Sequence, residues 1–233
     1  MELHRNGDQY RNGLAELVSL EGTYMFPMLK SSEIAGGIAK FSERWMLVPQ
    51  RRAGGDTSII EHSAPLTWDY LQAHADLFKQ RKSSIYRGKP MFSIFGVGDY
   101  SFSPWKVAIS GFYKKLNFVN IGSVDGKPFV LDDTCYFLPC PTQHAADYLA
   151  ALLNSDIARE FFSSYVFWDS KRPITVDLLG RLNLRLLANE LGTQATYDSL
   201  FGESSRRKTN AARKQKATTA GKLALWSARG RPA

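Results

Sequence analysis

Apolar residues along this chain change their period twice. From Pro65 to about Arg81, Leu66, Tyr70, Leu71, Ala73, Leu77 and Phe78 fall mostly at helical spacing, which predicts a helix opened by Ala64-Pro65 or Thr67. From residue 91 the pattern shortens to MFSIFG, KVAISGFY, FVNIG and PFVLDDTCYFL, β-branched and aromatic runs separated by turn residues, and these predict strands. Asp125-Gly126 between two such runs is a hairpin signal. After Pro141 the helical period returns in HAADYLAALLNSDIAREFFSSYVF, interrupted at Asn154-Ser155, and in a last amphipathic piece, VDLLGRLNLRLLANEL.

Before the first helix the pattern is weaker. Two Asn-Gly pairs, Asn6-Gly7 and Asn12-Gly13, mark the opening residues as irregular. GTYMFPMLKSSEIAGG predicts a strand or loop leading into a short helix, Trp45–Val48 a strand closed by Pro49, and AGGD at 53–56 a loop. The order of elements predicts a mixed α+β fold, a central β-rich region with helices on both sides, spanning residues 1–202.

Composition changes this picture at one end. A hydrophobic share of 44% and an aromatic share of 12% are ample for a core. No run approaches the roughly 18 apolar residues of a membrane helix, and Met1–Tyr10 has no apolar leader, so the expectation is a cytoplasmic protein. The net charge of +8 resides entirely in residues 203–233, which hold nine basic residues and one acid. Residues 1–202 carry 21 charges of each sign and are neutral. The tail, poor in core-forming residues, is expected to be disordered. Its Arg206, Arg207, Lys208, Arg213, Lys214 and Lys216 are candidate phosphate contacts, the alternative being a solvated extension.

Candidate chemistry is sparse. Cys135 and Cys140 lack the duplicated spacing of a zinc site, and His4, His62, His74 and His144 are scattered without ligand spacing. FGVGD at 95–99 is glycine-rich but runs into DYSFSPWKVAIS rather than opening a helix, which argues against a cofactor loop. Asp125-x-Lys127, with Asp99, Asp132 or Asp133 as a second carboxylate, matches half of a Mg-dependent nuclease site, but Asp-Gly-Lys is equally an ordinary hairpin turn. Two segments set an aromatic beside cations near a proline: Trp105-Lys106 after Pro104, and Trp168 ahead of Lys171-Arg172-Pro173. Such groups suit a nucleic-acid surface, and equally a cation lying over a packed ring.

A resemblance gives these segments a direction. RKSSIYRGKPMFSIFGVGDYSFSPWKVAISGFYKKLNFV, KPFVLDDTCYFLPC, and ALLNSDIAREFFSSYVFWDSKRPIT with LLGRLNL resemble the C-terminal part of adenine-specific DNA methyltransferases with a TaqI-like specificity region, including fused type IIG-like restriction–modification enzymes. The similarity runs from about Tyr24 to Leu191 and excludes the basic tail. It implies a target-recognition domain for double-stranded DNA that works beside a catalytic methyltransferase domain or subunit. The F-x-G-x-G loop that binds S-adenosylmethionine in that family, and its [DNS]-PP-[YF] loop, do not occur here; there is no Pro-Pro at all. Neither catalytic nor metal residues are therefore expected in this chain, and S-adenosylmethionine is expected on the partner.

The residues expected to meet DNA in the body are Arg87, Lys89, Trp105, Lys106, Lys171 and Arg172, with Asp99, Asp132 and Asp133 organising the loops that present them. The competing readings are the Mg-dependent nuclease and a non-functional remnant of a split methyltransferase gene.

Overall fold

The computed structural model describes residues 1–38 and 41–202. The tail residues assigned to phosphate contacts, Arg206 to Lys216, lie outside the described residues.

Eleven strands and nine α-helices alternate along the described chain. The strands are β1 (Glu2–Asn6), β2 (Gln9–Asn12), β3 (Leu17–Val18), β4 (Met25–Leu29), β5 (Arg44–Leu47), β6 (Trp105–Ser110), β7 (Val119–Ile121), β8 (Ser123–Val124), β9 (Lys127–Pro128), β10 (Val130–Leu131) and β11 (Cys135–Cys140). The helices are α1 (Ser31–Ala35), α2 (Ile60–Ser63), α3 (Pro65–Ala73), α4 (Ala75–Lys79), α5 (Gln143–Leu153), α6 (Asp156–Tyr165), α7 (Val176–Leu179), α8 (Leu184–Glu190) and α9 (Gln194–Phe201). The fold is mixed α+β, as the residue pattern predicts.

The strands form a six-stranded sheet in the order β10-β4-β5-β1-β2-β3, a three-stranded sheet β11-β6-β7, and the β8-β9 hairpin. Pairing is antiparallel except between β10 and β4. Period-two alternation sorts the side chains of the smaller sheet. Val107, Ile109, Tyr136 and Leu138 face α5 to α8, where Leu149, Leu153, Phe162 and Leu187 complete a core. Ala108 and Phe137 face the other way, onto Leu29, Ile34, Phe129 and Leu131. A third core lies between the larger sheet and α2 to α4, joining Leu3, Met25, Trp45 and Leu47 to Ile60, Leu71 and Phe92. Each layer thus buries a face that it could not leave in water.

The C-terminal helices start where side chains cap them. Thr142, Ser155, Thr175 and Asn183 each accept a hydrogen bond from a backbone N–H in the first turn of α5, α6, α7 and α8. The predicted interruption at Asn154-Ser155 is therefore a cap, and Asn154 also braces β7 by bonding the backbone N–H and carbonyl of Phe118.

Four expectations need correction. The opening residues are not irregular: β1 and β2 form a hairpin around Gly7-Asp8, with Gly7 at φ +62°. The helix over 65–81 is two helices, broken at His74, whose φ of −104° and ψ of 12° lie outside helical geometry. MFSIFG is not a strand. Gln50 pairs with Ile94 through its side-chain amide, donating to the carbonyl at 2.7 Å and accepting from the N–H at 3.1 Å, in place of a neighbouring strand. Lastly, VDLLGRLNLRLLANEL divides into α7 and α8 at Gly180, and α9 follows it.

Candidate nucleic-acid interface

Residues 77–98 contain five cations, Lys79, Arg81, Lys82, Arg87 and Lys89, and no acid. Like charges in one loop repel, so the segment needs an internal fastening. Arg81 supplies it. Its guanidinium lies over the rings of Phe78 at 4.6 Å and Tyr86 at 4.1 Å. It also donates to the carbonyls of Phe78, Ser93 and Met91, the bond to Ser93 being 2.6 Å. Arg81 is thereby consumed in holding the loop, and Lys82, Arg87 and Lys89 are left exposed on it. A hollow of about 250 Å³ runs between α4 and the loop, lined by Lys79, Lys82, Arg87 and Lys89.

A second loop joins this surface. Gln50 anchors residues 50–55 to Ile94, and Lys89 reaches across to Gly54, where a Cβ would lie 3.6 Å from its Nζ. The neighbouring Arg51 stacks on Phe102 at 4.6 Å, and Arg52 pairs with Asp99 at 3.5 Å. Asp99 faces Arg52, which is not among the cations it is expected to orient. The expected Arg87 and Lys89 thus sit on an exposed rim together with Arg51 and Arg52, two residues that sequence reasoning passed over.

A separate cluster forms around residues 112–115 and 167–172. Gly111 bonds the carbonyl of Thr134 at 2.8 Å and packs so closely that a Cβ would lie 2.8 Å from the Tyr136 ring and 3.4 Å from the Ile174 carbonyl. That close approach brings the two loops together. Arg172 stacks on Phe112 at 4.7 Å, beside buried Pro173 and exposed Lys171. Tyr113 and Phe167 are 46% and 71% exposed, so this cluster presents aromatic surface as well as charge.

Trp105 and Lys106 do not form a surface group. They are consecutive on β6, and consecutive strand residues point to opposite faces. The Trp105 ring packs against Gly122, where a Cβ would lie 2.8 Å away, and borders the helix-side core. Lys106 is 1% exposed; its Nζ lies over Phe137 and donates to the Ser103 carbonyl at 2.7 Å. Burial pulls its pKa down from 10.5 to about 7. A phosphate does not reach this ammonium in the observed arrangement, and Lys106 is removed from the interface.

The Asp125-Gly126-Lys127 segment is a hairpin turn. Asp125 and Gly126 have φ of 51° and 71°, the positive pair of a two-residue primed turn between β8 and β9. Asp125 faces Arg5 at 3.5 Å, while Lys127 donates to the carbonyls of Gly22 and Met25. The two side chains serve different neighbours, which removes the geometry a nuclease pair requires. Asp132 is a loop organiser, accepting from the Thr134 N–H at 3.0 Å and hydroxyl at 2.7 Å. Among the described residues no three His, Cys, Asp or Glu side chains gather into a metal-binding group. No described helix is long and apolar enough to cross a membrane.

No protein-family profile matches the chain. Over 188 residues, 81% of its length, it is 50% identical to the type II methyltransferase M.NspV of Nostoc sp.. The chain spans 39% of the length of that relative. Identity at half of the aligned positions makes this chain a relative of a type II methyltransferase.

Proposed function

We propose that the chain is a DNA target-recognition segment of an adenine-specific (N6) restriction–modification methyltransferase, and that it works beside a catalytic segment or partner chain that binds S-adenosylmethionine. The observation that carries this reading is the acid-free basic run at 77–98, fastened by Arg81 and abutted by Arg51 and Arg52. Cations on a braced loop can hold the sugar–phosphate backbone in one register, which base reading requires. Arg87, Lys89, Lys82 and Arg52 supply the backbone contacts. Arg172, stacked on Phe112 and followed by Pro173, reads a base edge, with the exposed Lys171 beside it. In the cell this puts the chain on nucleoid DNA.

The test is a fluorescence-anisotropy titration of the chain with random duplex DNA, followed by rounds of selection from a randomised duplex pool. Binding that weakens steeply with salt, and enrichment of one short sequence, are the expected results. Salt-sensitive binding without enrichment would reduce the chain to a non-specific DNA binder. No binding at moderate salt would overturn the reading. Calorimetry with S-adenosylmethionine should show no uptake by this chain alone; uptake at micromolar strength would place the cofactor site here instead.

A further inference from the structure

Beside the basic rim lies a second hollow, of about 260 Å³, between the 53–54 loop and residues 85–100. Its walls are apolar and aromatic: Ile85, Tyr86, Ile94, Phe95, Val97 and Tyr100. Its size falls just below the roughly 300 Å³ at which pockets for drug-sized ligands begin, so it suits one small planar ring system. Lys89 borders both this hollow and the cationic one, which sets a positive charge beside an aromatic cavity.

The floor is held from two sides. Arg81 grips the carbonyl of Ser93 at 2.6 Å, and Gln50 grips both backbone groups of Ile94. The Ser93 N–H is bonded to the Pro90 carbonyl at 3.0 Å. One group of this clamped segment is left over. Ser93 is 3% exposed, lines the hollow, and its hydroxyl has no hydrogen-bond partner among the described residues. Leaving a buried hydroxyl unpaired is unfavourable, and native structures rarely keep one without a purpose.

A rigid aromatic slot, a spare hydroxyl at its floor and a lysine at its edge match a heteroaromatic ring tethered to a phosphate. We infer that this hollow receives a single unstacked nucleobase from the bound DNA strand, with Lys89 on the adjoining phosphate. The ring would gain the walls as stacking surface, and the Ser93 hydroxyl would pair with a polar atom of its edge. The inference rests on the proposed DNA binding, but it makes a separate demand: affinity must respond to the availability of a free base.

The experiment compares three duplexes that share one sequence: fully paired, carrying one extrahelical nucleotide, and carrying one extrahelical abasic sugar. The last two are similarly flexible and differ in the base. The expected result is that the chain binds the base-bearing bulge at least about fivefold tighter than the abasic one, a difference of about 1 kcal/mol. Ala53→Trp, which fills the mouth from an exposed loop, should collapse that ratio towards one. Ser93→Ala should lower the ratio without lowering the unfolding temperature, because no hydrogen bond within the protein is lost.

Equal affinity for the two bulges would overturn the inference while leaving DNA recognition standing, provided the paired duplex binds. An undiminished ratio in Ala53→Trp would also overturn it, by placing the base elsewhere. Failure to bind any of the three duplexes would remove both readings.

Discussion

The guanidinium of Arg81 lies 4.1 Å above the ring of Tyr86 and at the same time donates to the carbonyl of Ser93 at 2.6 Å. One side chain therefore ties the end of α4 to both limbs of the basic loop. Its charge is spent on carbonyls and ring faces, and Lys79 at the start of the run is paired with Asp76 at 2.9 Å, so fewer free like charges face one another where the loop folds back.

Truncating this residue should loosen the loop first and the domain second. Arg81→Ala strands the carbonyls of Ser93 and Met91 and removes two ring contacts, with an expected loss of about 1–3 kcal/mol in urea unfolding. Arg81→Lys should recover little of it, because an ammonium cannot lie flat between two rings and serve several carbonyls in one plane. Trypsin should cut the variant faster after Lys82 and Arg87. Unchanged cleavage and stability would show that the loop is held by Gln50 and Phe92 alone.

Arg87 and Lys89 are exposed and free of acidic partners in their own segment. If each neutralises a phosphate, Arg87→Ala and Lys89→Ala should each lower the slope of log K against log salt by roughly 0.9. The loss should be the same on a selected duplex and a scrambled one, since phosphates carry no sequence. Removing residues 203–233, which hold nine cations, should lower the same slope further. Slopes that stay constant would move DNA to another face.

Much of the fold was legible because its signals are local. The β8-β9 hairpin follows from Asp125-Gly126, and the break between α5 and α6 from Ser155, each within a few residues of its cause. The errors arise where a distant partner decides. MFSIFG has strand composition, but its backbone meets the side chain of Gln50 instead of another strand. Trp105-Lys106 looks like a composite surface in one dimension and is divided between two faces by the strand it belongs to. Arg51 and Arg52 became visible as part of the site only when the fold set their loop against Lys89. The acid-free run at 77–98 was readable throughout, since it requires only that the missing charges be counted.

Arg172 should separate positioning from reading. Stacked on Phe112 and followed by Pro173, it is presented in a narrow range of directions, as bidentate contact with a guanine edge requires. On that geometry Arg172→Ala should lose about 1–3 kcal/mol on the selected duplex and far less on a scrambled one, and Arg172→Lys should not restore it. Equal losses on both duplexes would reassign Arg172 to the phosphate backbone. No loss on either would mean that this aromatic cluster faces another protein surface.

Lys106 yields a prediction about stability rather than binding. Its ammonium is surrounded by core, with the Ser103 carbonyl as its hydrogen-bond acceptor and the Phe137 ring nearby. Because burial lowers its pKa from 10.5 to about 7, the folded chain releases this proton at a pH where the unfolded chain still holds it. Between these two values the unfolded state binds more protons, so stability must rise with pH, by at most about 1.4 kcal/mol per unit. Below about pH 7 both states are protonated and the burial penalty is present in full. Lys106→Met, similar in length and uncharged, removes the penalty and its pH dependence together. The variant should therefore exceed the parent in stability at pH 6 by a margin on the order of a few kcal/mol, and the gap should narrow as pH approaches 9. The check is the difference between the two chains in urea midpoints across that range, which cancels the groups they share apart from the Cys140 thiol, which feels the Lys106 charge. A gap that does not change with pH would mean that the lysine keeps its proton in the folded state. A variant less stable at pH 6 would mean that the bond to Ser103 outweighs the desolvation of the charge.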